Sequence, residues 1–284
     1  MPPKDPQDSF KGKNVIVTGS NTGLGLEAAI KFVKLNAQKV IITSRNTEKG
    51  AAAKAIIDLQ TQRGSCVEVW KLDLDSYDSI RKFAKRASEL EHLDVVILNA
   101  GAASRYLKKA PTGWDEILQV NVLSTTVLAL MLLPKLRSSK TAEYTPRLEF
   151  VGARIHEDVV MGEEQRNAPN ILEWYNSTTS ADNYPTHRQY SVSKLFLICT
   201  MRTIANMALG GDGEPEVIVN AVCPGACQSE LTRDYNSGGF KLVKAIAGAA
   251  IMKTAEQGAR TYLIGVTIGR ESHGGFIQHA DIRP

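Results

Sequence analysis

The sequence predicts an α/β domain organised on a mainly parallel sheet, and three observations support that class. A strand, a glycine turn and a helix follow one another between Val15 and Val33. Strand-like apolar runs and helical patterns then alternate to the end of the chain. No Pro/Gly/Ser-rich linker interrupts the alternation over 284 residues, 43% of them hydrophobic, which is enough for one sizeable core in a single domain spanning 1–284.

The first element is the most informative. Val15, Ile16 and Val17 are apolar and β-branched, as in a buried strand, and Leu24, Ala28, Ala29, Phe32 and Val33 recur at helical spacing. Between them, Gly19, Gly23 and Gly25 let the backbone approach a ligand closely. The amides and positive dipole end of the new helix suit a pyrophosphate. The spacing is T-G-x-x-x-G-x-G rather than G-x-G-x-x-G, and glycines at such a turn also serve plain chain reversal.

A second strand, Lys39 to Ser44, ends at Arg45. An NAD-binding chain usually carries an acidic residue there for the ribose 2′-hydroxyl, whereas an arginine suits a 2′-phosphate. Lys49 adds a second cation or is a solvated residue of the helix expected over 47–62. A third strand, Val67 to Leu74, places Asp73 at its carboxyl end, where it can accept from an adenine amino group or cap the next turn. After a polar helix over 77–90, the apolar strand from Asp94 stops at Asn99-Ala-Gly101, small residues against which a ribose can lie.

A long helix is expected from Trp114 to about Leu136, with Asn121 inside it as a packing or functional residue. Arg147 to Gly152 forms a fifth strand, followed by Ala153 and Arg154. The polar stretch 155–188 is expected to be an irregular insert. A helix resuming at Gln189 carries Tyr190 and Lys194, four apart and therefore on one face. A lysine beside a phenol lowers its pKa from about 10, which makes Tyr190 a candidate general acid. A sixth strand, Val217 to Cys223, ends at Pro224-Gly225. The segment 231–252, apolar from Ala245 to Met252, is either a core helix or a lid. A helix over 254–268 and a strand over 275–278 complete the sheet.

Charge and cysteine usage exclude several classes. Lys and Arg number 34 against 30 Asp and Glu, spread along the chain, so nothing indicates a nucleic-acid groove or a polybasic membrane anchor. The four cysteines form no C-x-x-C pair and the five histidines are not at metal spacing with them, so no metal is expected and the thiols are expected to be reduced. The first ten residues lack an apolar targeting core, and the longest apolar run, Val127 to Leu133, is too short to span a bilayer. A cytoplasmic protein without a membrane partner is expected.

Taken together, Thr18-Gly-Ser-Asn-Thr-Gly-Leu-Gly25, Asp73-Leu74, Asn99-Ala-Gly101, Asn121, Tyr190-Ser-Val-Ser-Lys194 and Pro224-Gly225 resemble the short-chain dehydrogenase/reductase family from about Lys13 to Ile282. Ser44-Arg45 and Glu271-Ser-His-Gly-Gly275 are similar to its retinol-dehydrogenase-like fungal members, often associated with secondary metabolism. The resemblance implies a Rossmann-like three-layer sandwich with a seven-stranded, mainly parallel sheet and bound NADP(H). It implies cofactor contacts from Gly19, Asn21, Thr22, Gly23 and Leu24, and from Arg45, Lys49, Asp73 and Leu74. Further contacts are implied from Asn99, Ala100, Gly101, Tyr190, Lys194, Pro224, Gly225 and Ser229.

Tyr190 would exchange a proton with the substrate oxygen, Lys194 would hold the nicotinamide ribose, and Asn121 would orient Lys194 through water. Pairing through the two long helices as a homodimer or homotetramer is also implied. The family normally carries a serine at the end of the fifth strand, but Gly152 and Ala153 stand here, and alanine donates no hydrogen bond. A hydroxyl from Ser177, Thr178 or Thr179 could substitute. The expected activity is NADPH-dependent reduction of a ketone or aldehyde on a hydrophobic small molecule. The alternatives are an iminium-type substrate, a cofactor-binding cyclase or isomerase, or a binding protein.

Overall fold

In the computed structural model, which describes residues 10–177, 185–227 and 252–283, the apolar runs become the strands of one sheet. These are β1 (Asn14–Val17), β2 (Lys39–Ser44), β3 (Val67–Lys71), β4 (Val95–Leu98), β5 (Arg147–Val151), β6 (Ile218–Cys223), β7 (Phe276–Gln278) and β8 (Asp281–Arg283). Their order is β3-β2-β1-β4-β5-β6-β7-β8. β1 pairs in parallel with both β2 and β4, so the winding direction reverses between them. Open α/β sheets bind ligands at the carboxyl ends of the strands that flank such a reversal.

Both faces of the sheet are covered, which is why its strands read as continuous apolar runs. Val15 and Val17 pack with α1 (Gly23–Lys34), α2 (Thr47–Thr61) and α8 (Ala255–Thr267) on one side. Ile16, Leu148 and Phe150 pack on the other with α3 (Tyr77–Ser88), the long helix α4 (Glu116–Ser138) and α7 (Thr186–Met207). The result is the expected Rossmann-like three-layer arrangement. It carries one strand more than the seven expected, because His279 and Ala280, at φ of 55° and 71°, turn the chain back and pair β8 antiparallel to β7. Three residues and a turn without Asn-Gly leave little trace in a sequence.

The insert is more ordered than its polarity suggested. A 3₁₀ turn (Arg154–Asp158) and the short helices α5 (Glu163–Arg166) and α6 (Ile171–Ser177) occupy it. They are anchored by a small cluster in which Tyr175 packs with Leu118, Val122, Val192 and Phe196. Helix α4 is long and apolar enough to cross a bilayer, although the apolar run inside it is short, and two-thirds of its most apolar window is buried inside the protein. Polar residues interrupt that run but are satisfied internally: Gln119 Nε2 donates to Ser124 Oγ at 2.7 Å, and Ser124 Oγ donates to the Leu74 carbonyl.

One core residue breaks the apolar pattern. Glu149 lies in mid-β5, fully buried, and neither carboxyl oxygen has a hydrogen-bond partner among the described residues. A Cβ on Gly265 of α8 would overlap its carboxyl group, so glycine provides the room. Opposite it in register stands Asn220, whose Nδ2 donates to the Gly265 carbonyl at 2.8 Å while its Oδ1 is left without a partner. Burial pushes the Glu149 carboxyl well above the usual range, so it is a neutral acid in the folded protein.

The unfolded chain releases that proton above about pH 4.5 while the folded chain retains it, so this residue lowers stability as pH rises, by about 1.4 kcal/mol per unit across the interval. Glu149→Gln is therefore expected to gain in stability relative to the wild type in urea unfolding as pH rises above about 4.5. A constant difference between the two would refute the assignment of a neutral, buried acid.

Candidate active site

The glycine turn after β1 is held by backbone and hydroxyl groups of the neighbouring strands. Gly19 N–H donates to Thr43 Oγ1 at 2.9 Å, Ser20 Oγ donates to the Val17 carbonyl at 2.6 Å, and Ala100 N–H donates to Thr18 Oγ1 at 2.9 Å. Gly19 and Gly23 have φ of 61° and 58°, the left-handed region open to glycine. A Cβ at Gly19 would come within 2.8 Å of Ala100 Cα, and one at Gly25 within 2.5 Å of Asn99 Nδ2. Thr22 leads into α1 without a side-chain capping bond. The first-turn amides of a helix have no partner within it, so this glycine turn with no Thr22 side-chain cap fits a dinucleotide phosphate.

A cleft of about 1010 Å³ runs from this turn along the carboxyl ends of the strands. One end collects Arg45, Lys49, Asp73, Leu74 and Asp75. Arg45 and Lys49 are both exposed, and Asn46 caps α2 by accepting from the Lys49 N–H at 2.8 Å. Asp73 uses one carboxylate oxygen in the turn after β3, accepting from the Asp75 N–H at 3.1 Å. Asp75 is shifted upward by burial, then by the charges of Glu116 and Asp73, with Arg45 opposing. The middle of the cleft is lined by Asn21, Thr22, Leu24, Asn99, Ala100 and Gly101.

The other end holds Tyr190 and Lys194 of α7 with Gly152, Ala153, Cys223, Pro224 and Gly225. Lys194 is 6% exposed, and its ammonium donates to the Val151 carbonyl at 2.9 Å and lies 5.6 Å from the Tyr190 ring centroid. Burial pushes the lysine down to about 8, with the Cys223 thiol opposing. Asn121 sits where α4 widens into a π-helical stretch (Gln119–Ser124). Its Nδ2 donates to the Ala102 carbonyl at 2.9 Å and to Ser193 Oγ at 3.0 Å, and its Oδ1 accepts from the Ala102 N–H at 2.7 Å. It therefore fastens the loop after β4 to the helix carrying Lys194. Such widenings recur at functional sites because they re-aim a side chain.

The substitute hydroxyl is not found in Ser177: its Oγ donates to the Trp174 carbonyl at 3.2 Å, is exposed, and stands apart from the cleft lining. Thr178 and Thr179, Ser229, and all of the lid-or-core segment 231–252 except Met252 lie outside the described residues. Three contributors were not anticipated. Cys223, expected to be an incidental thiol, accepts from the Arg154 N–H at 3.3 Å on the cleft wall. The exposed Arg154 borders the catalytic end, and Tyr262 of α8 reaches the floor beneath Asn99. No local pattern marks these three, because each is brought in from a different strand end or helix.

Known proteins share the sequence and the fold. A short chain dehydrogenase family profile matches residues 13–143. Short-chain dehydrogenase/reductase ffsI of Aspergillus flavipes is 42% identical over 284 residues, covering 98% of this chain and 80% of that protein. Short-chain dehydrogenase/reductase phmF of Phaeosphaeria nodorum is 41% identical over 278 residues, with coverages of 97% and 80%. Among solved structures, the NADP complex of RhlG from Pseudomonas aeruginosa aligns with a TM-score of 0.72 at 24% identity, covering 95% of this chain and 96% of that one. At that identity it speaks for the fold alone. On the strength of the fungal relatives, aligned along nearly its whole length, the chain belongs to the short-chain dehydrogenase/reductase family.

Proposed function

We propose that this protein is an NADPH-dependent oxidoreductase that delivers hydride to a carbonyl carbon of a hydrophobic small molecule, as part of fungal-type secondary metabolism. The observation that supports this most is the convergence of Tyr190 and Lys194 at one end of the cleft, with the buried Asn121 bonded to Ser193 behind them, while the cleft also carries the exposed cations Arg45 and Lys49. A binding protein has no need of that proton-handling set. NADPH is the form favoured by Arg45, which suits a 2′-phosphate through paired, charge-assisted hydrogen bonds. Solved structures of the same fold include complexes with NADP and with NADPH.

When bound, the coenzyme supplies the hydride. Tyr190 gives its phenolic proton to the substrate oxygen as the carbon accepts hydride, so the C=O bond becomes a C–H and an O–H. The buried ammonium of Lys194 stabilises the phenolate left behind, and Asn121 holds the backbone beside it. Small Gly152 and Ala153 leave room at the catalytic end. The missing hydroxyl at Ala153 favours a second substrate class, an iminium-type cation, which accepts hydride without polarisation of a carbonyl. Exposed Leu130 and Met131 on α4 and Met207 on α7 supply apolar material for pairing of two copies through these helices.

Three outcomes follow from these assignments. Tyr190→Phe is expected to lower carbonyl reduction by about 10²–10⁴-fold while NADPH still binds; unchanged turnover would point to the cationic substrate instead. Arg45→Ala is expected to weaken NADPH binding about tenfold or more and to leave NADH binding nearly unchanged, measured by coenzyme fluorescence, and equal losses for both would remove the 2′-phosphate role. Ala153→Ser is expected to raise carbonyl turnover, up to about 10²-fold if the hydroxyl meets the oxyanion squarely. No gain with any carbonyl would show that the missing donor is not limiting.

A further inference from the structure

We propose that Tyr262 is a positioning residue of the coenzyme site: through Asn99 it fixes the glycine turn in its phosphate-binding shape, a role that rests on the NADPH assignment of the cleft. Its hydroxyl donates to Asn99 Oδ1 at 2.8 Å. The Asn99 amide in turn donates from Nδ2 to the carbonyls of Thr18, at 2.7 Å, and Gly19, at 3.1 Å. Both backbone partners are acceptors only, so Nδ2 must face them and Oδ1 must face the phenol. The two carbonyls fix the orientation of the amide, and the phenol supplies the donor that its Oδ1 then requires.

Asn99 occupies a tight place. Gly25 has no room for a Cβ because Asn99 Nδ2 would lie 2.5 Å from it, so the amide wedges between the turn and the start of α1. Its orientation therefore decides where the Thr18 and Gly19 carbonyls point, and with them the N–H groups on the opposite side of the same peptides. Tyr262 is suited to hold it. The side chain is 1% exposed, and burial pushes its phenol well above the usual tyrosine range, so it keeps its proton.

The helix carrying it is itself braced against α1. Lys31 of α1 and Arg260 of α8 both pair with Glu256, and Gly258 lets α8 approach until a Cβ there would be 2.9 Å from Leu24 Cδ2. Tyr262 thus acts from a rigid platform at the floor of the cleft. Without its hydroxyl, Asn99 Oδ1 loses its buried donor, the strut is held from the turn side alone, and binding must re-order a looser turn.

The test is a fluorescence titration of NADPH into wild type, Tyr262→Phe, Asn99→Ala and the double variant, with amide hydrogen exchange read over residues 18–25. Tyr262→Phe is expected to weaken NADPH binding about fivefold to thirtyfold, the range of one buried hydrogen bond, and to speed exchange in that stretch above all others. The double variant is expected to bind no worse than Asn99→Ala alone, since both changes break one strut. Tyr175→Phe, which removes another buried hydroxyl outside the cleft, serves as the control for general loosening and is expected to leave both readouts unchanged.

Asn99→Ala attacks the strut from its other side, so the expected loss remains measurable should the phenylalanine variant unfold. Wild-type affinity in Tyr262→Phe, or additive losses in the double variant, would overturn the proposal with the NADPH assignment intact. A wild type that binds no NADPH would overturn both.

Discussion

The closeness of two backbones governs this molecule. The turn after β1 and the end of β4 approach until a methyl group on Gly19 would collide with Ala100 and one on Gly25 with the Asn99 amide. That proximity is possible only with glycine on one side and small residues on the other. It also follows from the sheet order, because β1 and β4 are direct neighbours at the point where the winding reverses. From it come the exposed amides of α1, the position of the Asn99 strut, and the line along which the cleft extends toward Arg45 on one side and Tyr190 on the other.

The catalytic end rests on burial rather than on a single strong bond. Lys194 has almost no access to solvent and, among the described residues, only the Val151 carbonyl accepts from its ammonium, so its charge is costly enough to bring its pKa down to about 8. An ammonium kept short of partners is disposed to accept them from a phenolate or a ribose. Asn121 contributes from the side by joining the loop after β4 to Ser193, one residue before the lysine. The π-helical widening of α4 is what aims it there, since in a regular helix the same residue would face a direction displaced by part of a turn.

Two departures from the expected pattern are physically different in kind. Ala153 stands where the proposed carbonyl reduction would want a hydroxyl donor, and Ser177, bonded to the Trp174 carbonyl outside the cleft lining, does not replace it. Glu149 adds a titratable group deep in β5, away from the cleft lining, and Gly265 accommodates it. The first bears on chemistry and the second on stability, although both lie within five residues of one strand.

The sequence by itself determined the architecture and the addresses of the site. Strand runs apolar on both faces imply a sheet covered on both sides, and the glycine turn, Arg45, Asn99 to Gly101, Asn121, Tyr190 and Lys194 could be named because each belongs to a local pattern of strand end, turn or helix face. Only the tertiary structure decided how they are held. The hydroxyl of Tyr262 meets Asn99 across 163 residues, and Ser193 meets Asn121 across 72. Such pairings leave no mark on either neighbourhood of the chain. The π-helical stretch, the helices of the insert and the β8 hairpin were hidden for a related reason: each is stabilised by packing or by a turn of a few residues, while periodicity reports only on longer elements with one consistent buried face.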